Sequence, residues 1–114
     1  MPFINLKTTE KITDSIKEEL TALLGEAISI IPGKSEKWLM LNLEGECNMA
    51  FAGNSTLPTA YLEVKIFGKA GAEDYERLTA RLCDIIEDRL AVPQDRTYVK
   101  YEEAYIWGWQ GSNF

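Results

Sequence analysis

The sequence predicts an α+β domain in which two βαβ units form one four-stranded sheet with two helices on one face. Three observations carry this expectation. Two long amphipathic segments each lie between strand-like segments, so the order strand, helix, strand occurs once in each half of the chain. A parallel βαβ unit takes a right-handed crossover, which puts both helices on the same side of the sheet. No linker or low-complexity stretch divides the 114 residues, so residues 1–114 read as a single domain.

The first strand is expected over Pro2 to Lys7, where Pro2, Ile4 and Leu6 alternate with Phe3, Asn5 and Lys7. Thr9 and Thr13 are candidate N-caps for a helix from Ile12 to Ile31. Its apolar residues Ile12, Ile16, Leu20, Leu23, Ala27 and Ile30 step by threes and fours. Ser15 and Glu18 have capping-box spacing. Pro32-Gly33 stops the helix. Trp38 to Leu43 is nearly continuous in apolar residues and reads as a strand buried on both faces. Met49 to Ala52 reads as a short strand ended by Gly53-Asn54-Ser55.

Tyr61 to Phe67 alternates cleanly, with Leu62, Val64 and Ile66 on one face. After the turn Gly68 to Gly71, a second helix is expected over Ala72 to Leu90. Glu73 and Asp74 suit its positive N-terminal end, and Tyr75, Leu78, Leu82, Ile85 and Ile86 form its stripe. Thr97 to Glu102 is the next strand, and Tyr105 to Trp109 a last one. The face away from the helices is expected to carry apolar residues such as Trp38 or Leu39, Met40 and Val64. A second apolar face implies another subunit.

Composition narrows the chemistry. The net charge of −6, without a Lys/Arg cluster, argues against nucleic acid as partner. There is no histidine, which removes the commonest general base and metal ligand; any base must be a carboxylate, Lys, Tyr, Cys or an N-terminal amine. Cys47 and Cys83 lie far apart with no CxxC, so a thiolate metal site is unsupported and a reducing cytoplasm is expected. The chain opens with no signal-peptide pattern, and no apolar run is long enough to span a membrane.

Several segments in order carry a further implication. They are Met1-Pro2-Phe3-Ile4, Gly33-Lys34 before a strand, MAFAGNST (Met49 to Thr56), IFGKAG (Ile66 to Gly71), DRTYVKY (Asp95 to Tyr101), WGW (Trp107 to Trp109) and the closing SNF (Ser112 to Phe114). Together, from end to end of the chain, they resemble the macrophage migration inhibitory factor and D-dopachrome tautomerase family. That resemblance implies a homotrimer whose sheets wrap a central channel, with helices outside and active sites between neighbouring subunits. It implies keto–enol tautomerisation of arylpyruvate-type α-keto acids, with no metal or organic cofactor.

The resemblance also implies roles for particular residues. Pro2 is the base: once Met1 is removed, its ring nitrogen is a secondary amine. A dry pocket and nearby cations bring such an amine toward neutral working pH, because both disfavour its protonated form. A retained Met1 would make that nitrogen an amide. Lys34 matches the lysine that holds the substrate's carboxylate or carbonyl oxygen. Read without the resemblance, it is a solvated lysine at a helix exit. Phe67 stands where relatives carry a smaller aliphatic residue whose backbone N–H binds substrate oxygen. Tyr98 matches a tyrosine lent by the neighbouring subunit. Lys100 replaces an asparagine of animal members; it is either a second pocket cation or a lysine that reaches water. Lys65, where some relatives have histidine, is open between the same readings. Trp107 and Trp109 form either an aromatic slot or trimer packing, and Phe114 lines the rim. No cysteine falls between Thr59 and Leu62, where the vertebrate thiol-oxidoreductase motif would lie, so that activity is not expected. Two other readings stand beside the enzyme. One is a cytokine-like ligand exported without a signal peptide, with a receptor protein as partner and vestigial activity. The other is dehalogenation or decarboxylation by the same proline.

Overall fold

A sheet built from two right-handed crossovers needs its central strands buried on the helix side, and that is where the most apolar alternation falls. The computed structural model describes residues 1–114. Its main elements are β1 (Pro2–Thr8), α1 (Asp14–Ala27), β2 (Met40–Glu44), β3 (Ala60–Phe67), α2 (Ala72–Leu90), β4 (Thr97–Ala104), β5 (Gly108–Trp109) and β6 (Ser112–Asn113). The large sheet runs β2-β1-β3-β4. β1 pairs parallel with β2 and β3 parallel with β4, and the two units join through the antiparallel pair β1–β3. The expected architecture of two βαβ units is therefore observed.

The core lies between this sheet and the helices. Ile4 and Leu6 of β1 and Leu62, Val64 and Ile66 of β3 meet Leu20 and Leu24 of α1 and Leu78, Leu82 and Ile86 of α2, all fully buried. Each such side chain taken from water stabilises the fold by roughly 1.5–3 kcal/mol. α2 has the expected bounds. α1 starts later than Ile12: the side-chain oxygen of Thr13 accepts the Ile16 N–H at 3.3 Å, so Thr13 is the cap and the Ser15–Glu18 box does not form. The helix tightens into a 3-10 turn over Ile28–Ile30, and Gly33, at φ +80°, redirects the chain after Pro32.

Several strand expectations are corrected. β2 is an edge strand packed on one face only: Leu41 and Leu43 are half-buried, whereas Met40 is 68% exposed. Trp38 and Lys37 belong to a separate 3-10 turn, Glu36–Trp38. Met49 to Ala52 is no strand; a single bridge, Phe51 to Asn54, closes a tight turn there. The segment Tyr105 to Trp109 contributes only β5, which forms a hairpin with β6 across Gln110-Gly111. Both turn residues have positive φ, as the favoured two-residue hairpin turn requires.

The face away from the helices is polar rather than apolar, and Val64 lies on the helix side. Across the four strands the open face reads Met40, Phe3, Lys65, Glu102, then Asn42, Asn5, Glu63, Lys100, then Glu44, Lys7, Tyr61, Tyr98. Asn42 donates to Asn5 at 2.8 Å, Asn5 to Glu63 at 3.0 Å, and Tyr61 to Glu63 at 3.2 Å. The Asn5 hydrogen bond, ahead of smaller effects, holds the Glu63 carboxyl below its ordinary value. Lys100 pairs with Glu102 at 3.1 Å, and that contact raises its pKa. A one-residue register slip would turn this polar set onto the core, so the register is firmly specified.

Candidate active site

The N-terminus enters the sheet in the middle of the molecule, because β1 is one of the two central strands. Pro2 pairs with Ile66, so the first peptide bond lies beside the end of β3. There the Phe67 N–H donates to the Met1 carbonyl at 3.0 Å. The Phe67 carbonyl accepts from Lys34 Nζ at 2.7 Å. That second bond pins the ammonium next to the chain's own start. The effect on Met1 is direct: its amine is held below the ordinary α-amino value, first by burial, then by the charge and hydrogen bonding of Lys34. An amine here is thus pushed toward its neutral, proton-accepting form.

Beside this junction opens a cleft of about 680 Å³. It is lined by Met1, Pro2, Phe3, Lys37, Trp38, Leu39, Met40, Trp107, Gly108 and Trp109. Its walls are aromatic. Trp38 meets Trp109 edge-on, with centroids 5.2 Å apart. Trp109 stacks on Phe114 at 6.2 Å and 11°. Phe114 in turn lies 5.6 Å from Phe67. The C-terminal tail is held back against the wall by the Phe114 N–H, which donates to Trp107 O at 3.0 Å. Phe67 and Lys34 do not line the slot themselves but adjoin it at the Met1–Pro2 junction. An aromatic slot beside a hydrogen-bond donor and a cation can take an aryl group joined to an oxygen-rich anionic end. A second cleft, of about 640 Å³, gathers Glu10, Glu46 and Cys47 among uncharged neighbours beyond the end of β1 opposite Pro2 and has no cation.

Of the residues singled out from the sequence, one chain brings together Pro2, Lys34, Phe67, Trp107, Trp109 and Phe114. It does not bring Tyr98 or Lys100 to them. Tyr98 pairs with Tyr61, and Lys100 with Glu63, further along β3 from Ile66 and Phe67. Tyr98 is 63% exposed and rests edge-on against Phe51 at 5.2 Å. Lys65 pairs with Glu102 at 3.8 Å on the open face. Sequence reading missed Trp38, Lys37 and Met40 as cleft residues because it assigned Trp38 to a buried strand. The available signal was their position just after Gly33-Lys34, on the same short stretch as a site lysine. No group of three or more Cys, Asp or Glu side chains is close enough to hold a metal ion. No helix is long and apolar enough to cross a membrane.

Comparison with known proteins bears on this arrangement. The sequence profile described as "Macrophage migration inhibitory factor (MIF)" matches residues 1–114. A Xenopus laevis protein named macrophage migration inhibitory factor is 30% identical, over 100% of this chain and 99% of its own. The crystal structure of Leishmania major MIF2 superposes with a TM-score of 0.93 at 27% identity, covering 100% of this chain and 97% of that one. A macrophage migration inhibitory factor homologue from Prochlorococcus marinus is 34% identical with a TM-score of 0.81, over 98% of both chains.

Proposed function

The chain belongs to the macrophage migration inhibitory factor family, with the tautomerase-superfamily fold, and we propose that it is a keto–enol tautomerase of arylpyruvate-type α-keto acids whose base is the amine of Pro2. The observation that carries this reading is the convergence of the Met1–Pro2 junction, the Phe67 amide and the Lys34 ammonium beside an aromatic cleft.

With Met1 removed, the Pro2 nitrogen becomes a free secondary amine, and the Phe67 N–H loses its partner, the Met1 carbonyl. The keto acid binds with its aryl ring between the tryptophans and its oxygens toward the Phe67 N–H and Lys34. Neutral Pro2 takes a proton from the carbon between ring and carbonyl. The electron pair of that C–H bond moves into a new C=C bond, and the carbonyl π pair moves onto oxygen. The N–H and the ammonium stabilise the resulting enolate. Protonated Pro2 then returns the proton to oxygen and is neutral again; the reverse sequence makes the ketone. No metal or organic cofactor enters this scheme.

Tyr98 and Lys100 fit the same reading as residues lent to a neighbour's cleft in a homotrimer. Support comes from the unpaired edges of β2 and β4 and from the exposure of Tyr98, since open sheet edges invite pairing. The cytoplasm suits two free thiols, Cys47 and Cys83. A receptor-binding role would use the outer surface and would survive loss of the base.

The test is Pro2→Gly, which keeps an N-terminal amine but loses the ring. Turnover of phenylpyruvate should fall by about 10² or more with the circular dichroism spectrum preserved; near-normal turnover overturns the assignment. A second expectation concerns pH. Lys34 favours the neutral amine, so in Lys34→Gln the amine's pKa rises. The acid limb of kcat/KM should therefore move to higher pH, and KM should increase. A pH–rate profile reads both, and an unmoved acid limb would remove Lys34 from the pocket's electrostatics.

A further inference from the structure

The sequence carries 18 acidic residues against 12 basic ones, yet no Asp or Glu is among the ten residues lining the aromatic cleft. One side chain there is charged: Lys37. Its ammonium lies 5.3 Å from the ring centroid of Trp38, over the indole that forms a corner with Trp109. Cation–π attraction holds it at that face. It makes no ion pair with a carboxylate, whereas Lys65, Lys100 and Arg89 each do. A lysine with no anion to meet, at the lip of an apolar slot, attracts negative charge on whatever fills the slot.

We infer that Lys37 is a specificity-determining residue, and that the cleft prefers aryl keto acids bearing a second anionic group, a ring carboxylate, over those with an uncharged ring. This rests on the proposed tautomerase reading and adds the substrate class to it. The keto acid end is engaged by Lys34 and the Phe67 N–H, while the ring lies along Trp38 and Trp109, which brings a ring substituent to the indole that Lys37 covers. Because the ammonium is exposed, the preference is modest and salt-sensitive.

The experiment compares kcat/KM for 4-carboxyphenylpyruvate and phenylpyruvate in the wild type, Lys37→Gln and Lys37→Glu. The diacid-to-monoacid ratio should fall about fivefold in Lys37→Gln and further in Lys37→Glu. Raising salt should lower the ratio in the wild type and leave it flat in Lys37→Gln. A ratio unchanged by both substitutions overturns the inference while leaving the tautomerase reading intact, provided Pro2→Gly still abolishes phenylpyruvate turnover. If the wild type turns over neither acid, the tautomerase reading fails. Calorimetric titration with the saturated analogues, 3-phenylpropionate and its 4-carboxy derivative, then decides this inference: a stronger diacid preference in wild type than in Lys37→Gln supports it, and equal preference overturns it.

Discussion

A chain that keeps Met1 is expected to be nearly silent as a tautomerase, slower by about 10³-fold than the chain beginning at Pro2. Removing a positioned base costs about 10²–10⁴ in rate, and a retained Met1 does more than that. It converts the Pro2 nitrogen into an amide with no basic lone pair. Its carbonyl occupies the Phe67 N–H at 3.0 Å, the donor needed by the enolate oxygen. Its side chain also lines the cleft. The Met1 amine, although its pKa is lowered by burial and by Lys34, is no substitute. It stands one residue, about 3.5 Å of chain, outside the Pro2 nitrogen, and misplacement by even 1 Å costs on the order of 10² in rate. Cleaving an N-terminal fusion at two alternative positions yields both forms, mass spectrometry identifies them, and a phenylpyruvate assay compares them. Equal activity would remove Pro2 from the mechanism.

The second large effect concerns Arg96. This side chain is 8% exposed and has no carboxylate partner. Its Nε donates to Pro58 O at 2.9 Å and Nη1 to Phe51 O at 3.3 Å. Nη2 donates to Asn54 O at 3.0 Å, Leu57 O at 3.3 Å and Thr59 Oγ1 at 2.8 Å. The guanidinium also lies 5.4 Å from the Phe51 ring. The loop from Phe51 to Thr59 has no ladder of its own, so the planar fork stands in for one. Arg96→Met would fill part of the space but remove all five of these hydrogen bonds and leave Pro58 O without its donor, at a cost of about 3 kcal/mol. Arg96→Lys should recover little, because one ammonium cannot span the same arc. Urea unfolding at fixed protein concentration measures this; a loss below about 0.5 kcal/mol would mean that water replaces the fork without penalty. The loop amides should also exchange faster in both variants.

Local pattern made some of this molecule legible and left the rest hidden. α2 was readable to its ends because its stripe repeats at helical spacing and Gly71 and Pro93 bracket it. The helix-facing set of β3 was readable from strict alternation. β2 was not. An apolar run does not say whether a strand is covered on one face or on both, and Met40 and Leu41 differ in burial because Leu41 faces the helices while Met40 lies on the open face. The Pro2–Lys34–Phe67 grouping was available through family resemblance, not spacing. The Trp38–Trp109 corner joins positions far apart in sequence and needed the folded chain. Arg96 gave no signal at all: in the string Gln94-Asp95-Arg96 it reads as one more solvated charge, while the cage around it comes from residues Phe51 to Thr59.

Handling of the protein is constrained by where its two ends meet. Phe114 rests against Phe67, whose amide is bonded to Met1, so both extremities of the chain converge on one mouth. Affinity tags or fluorophores fused at either end would crowd that mouth and imitate an inhibitor.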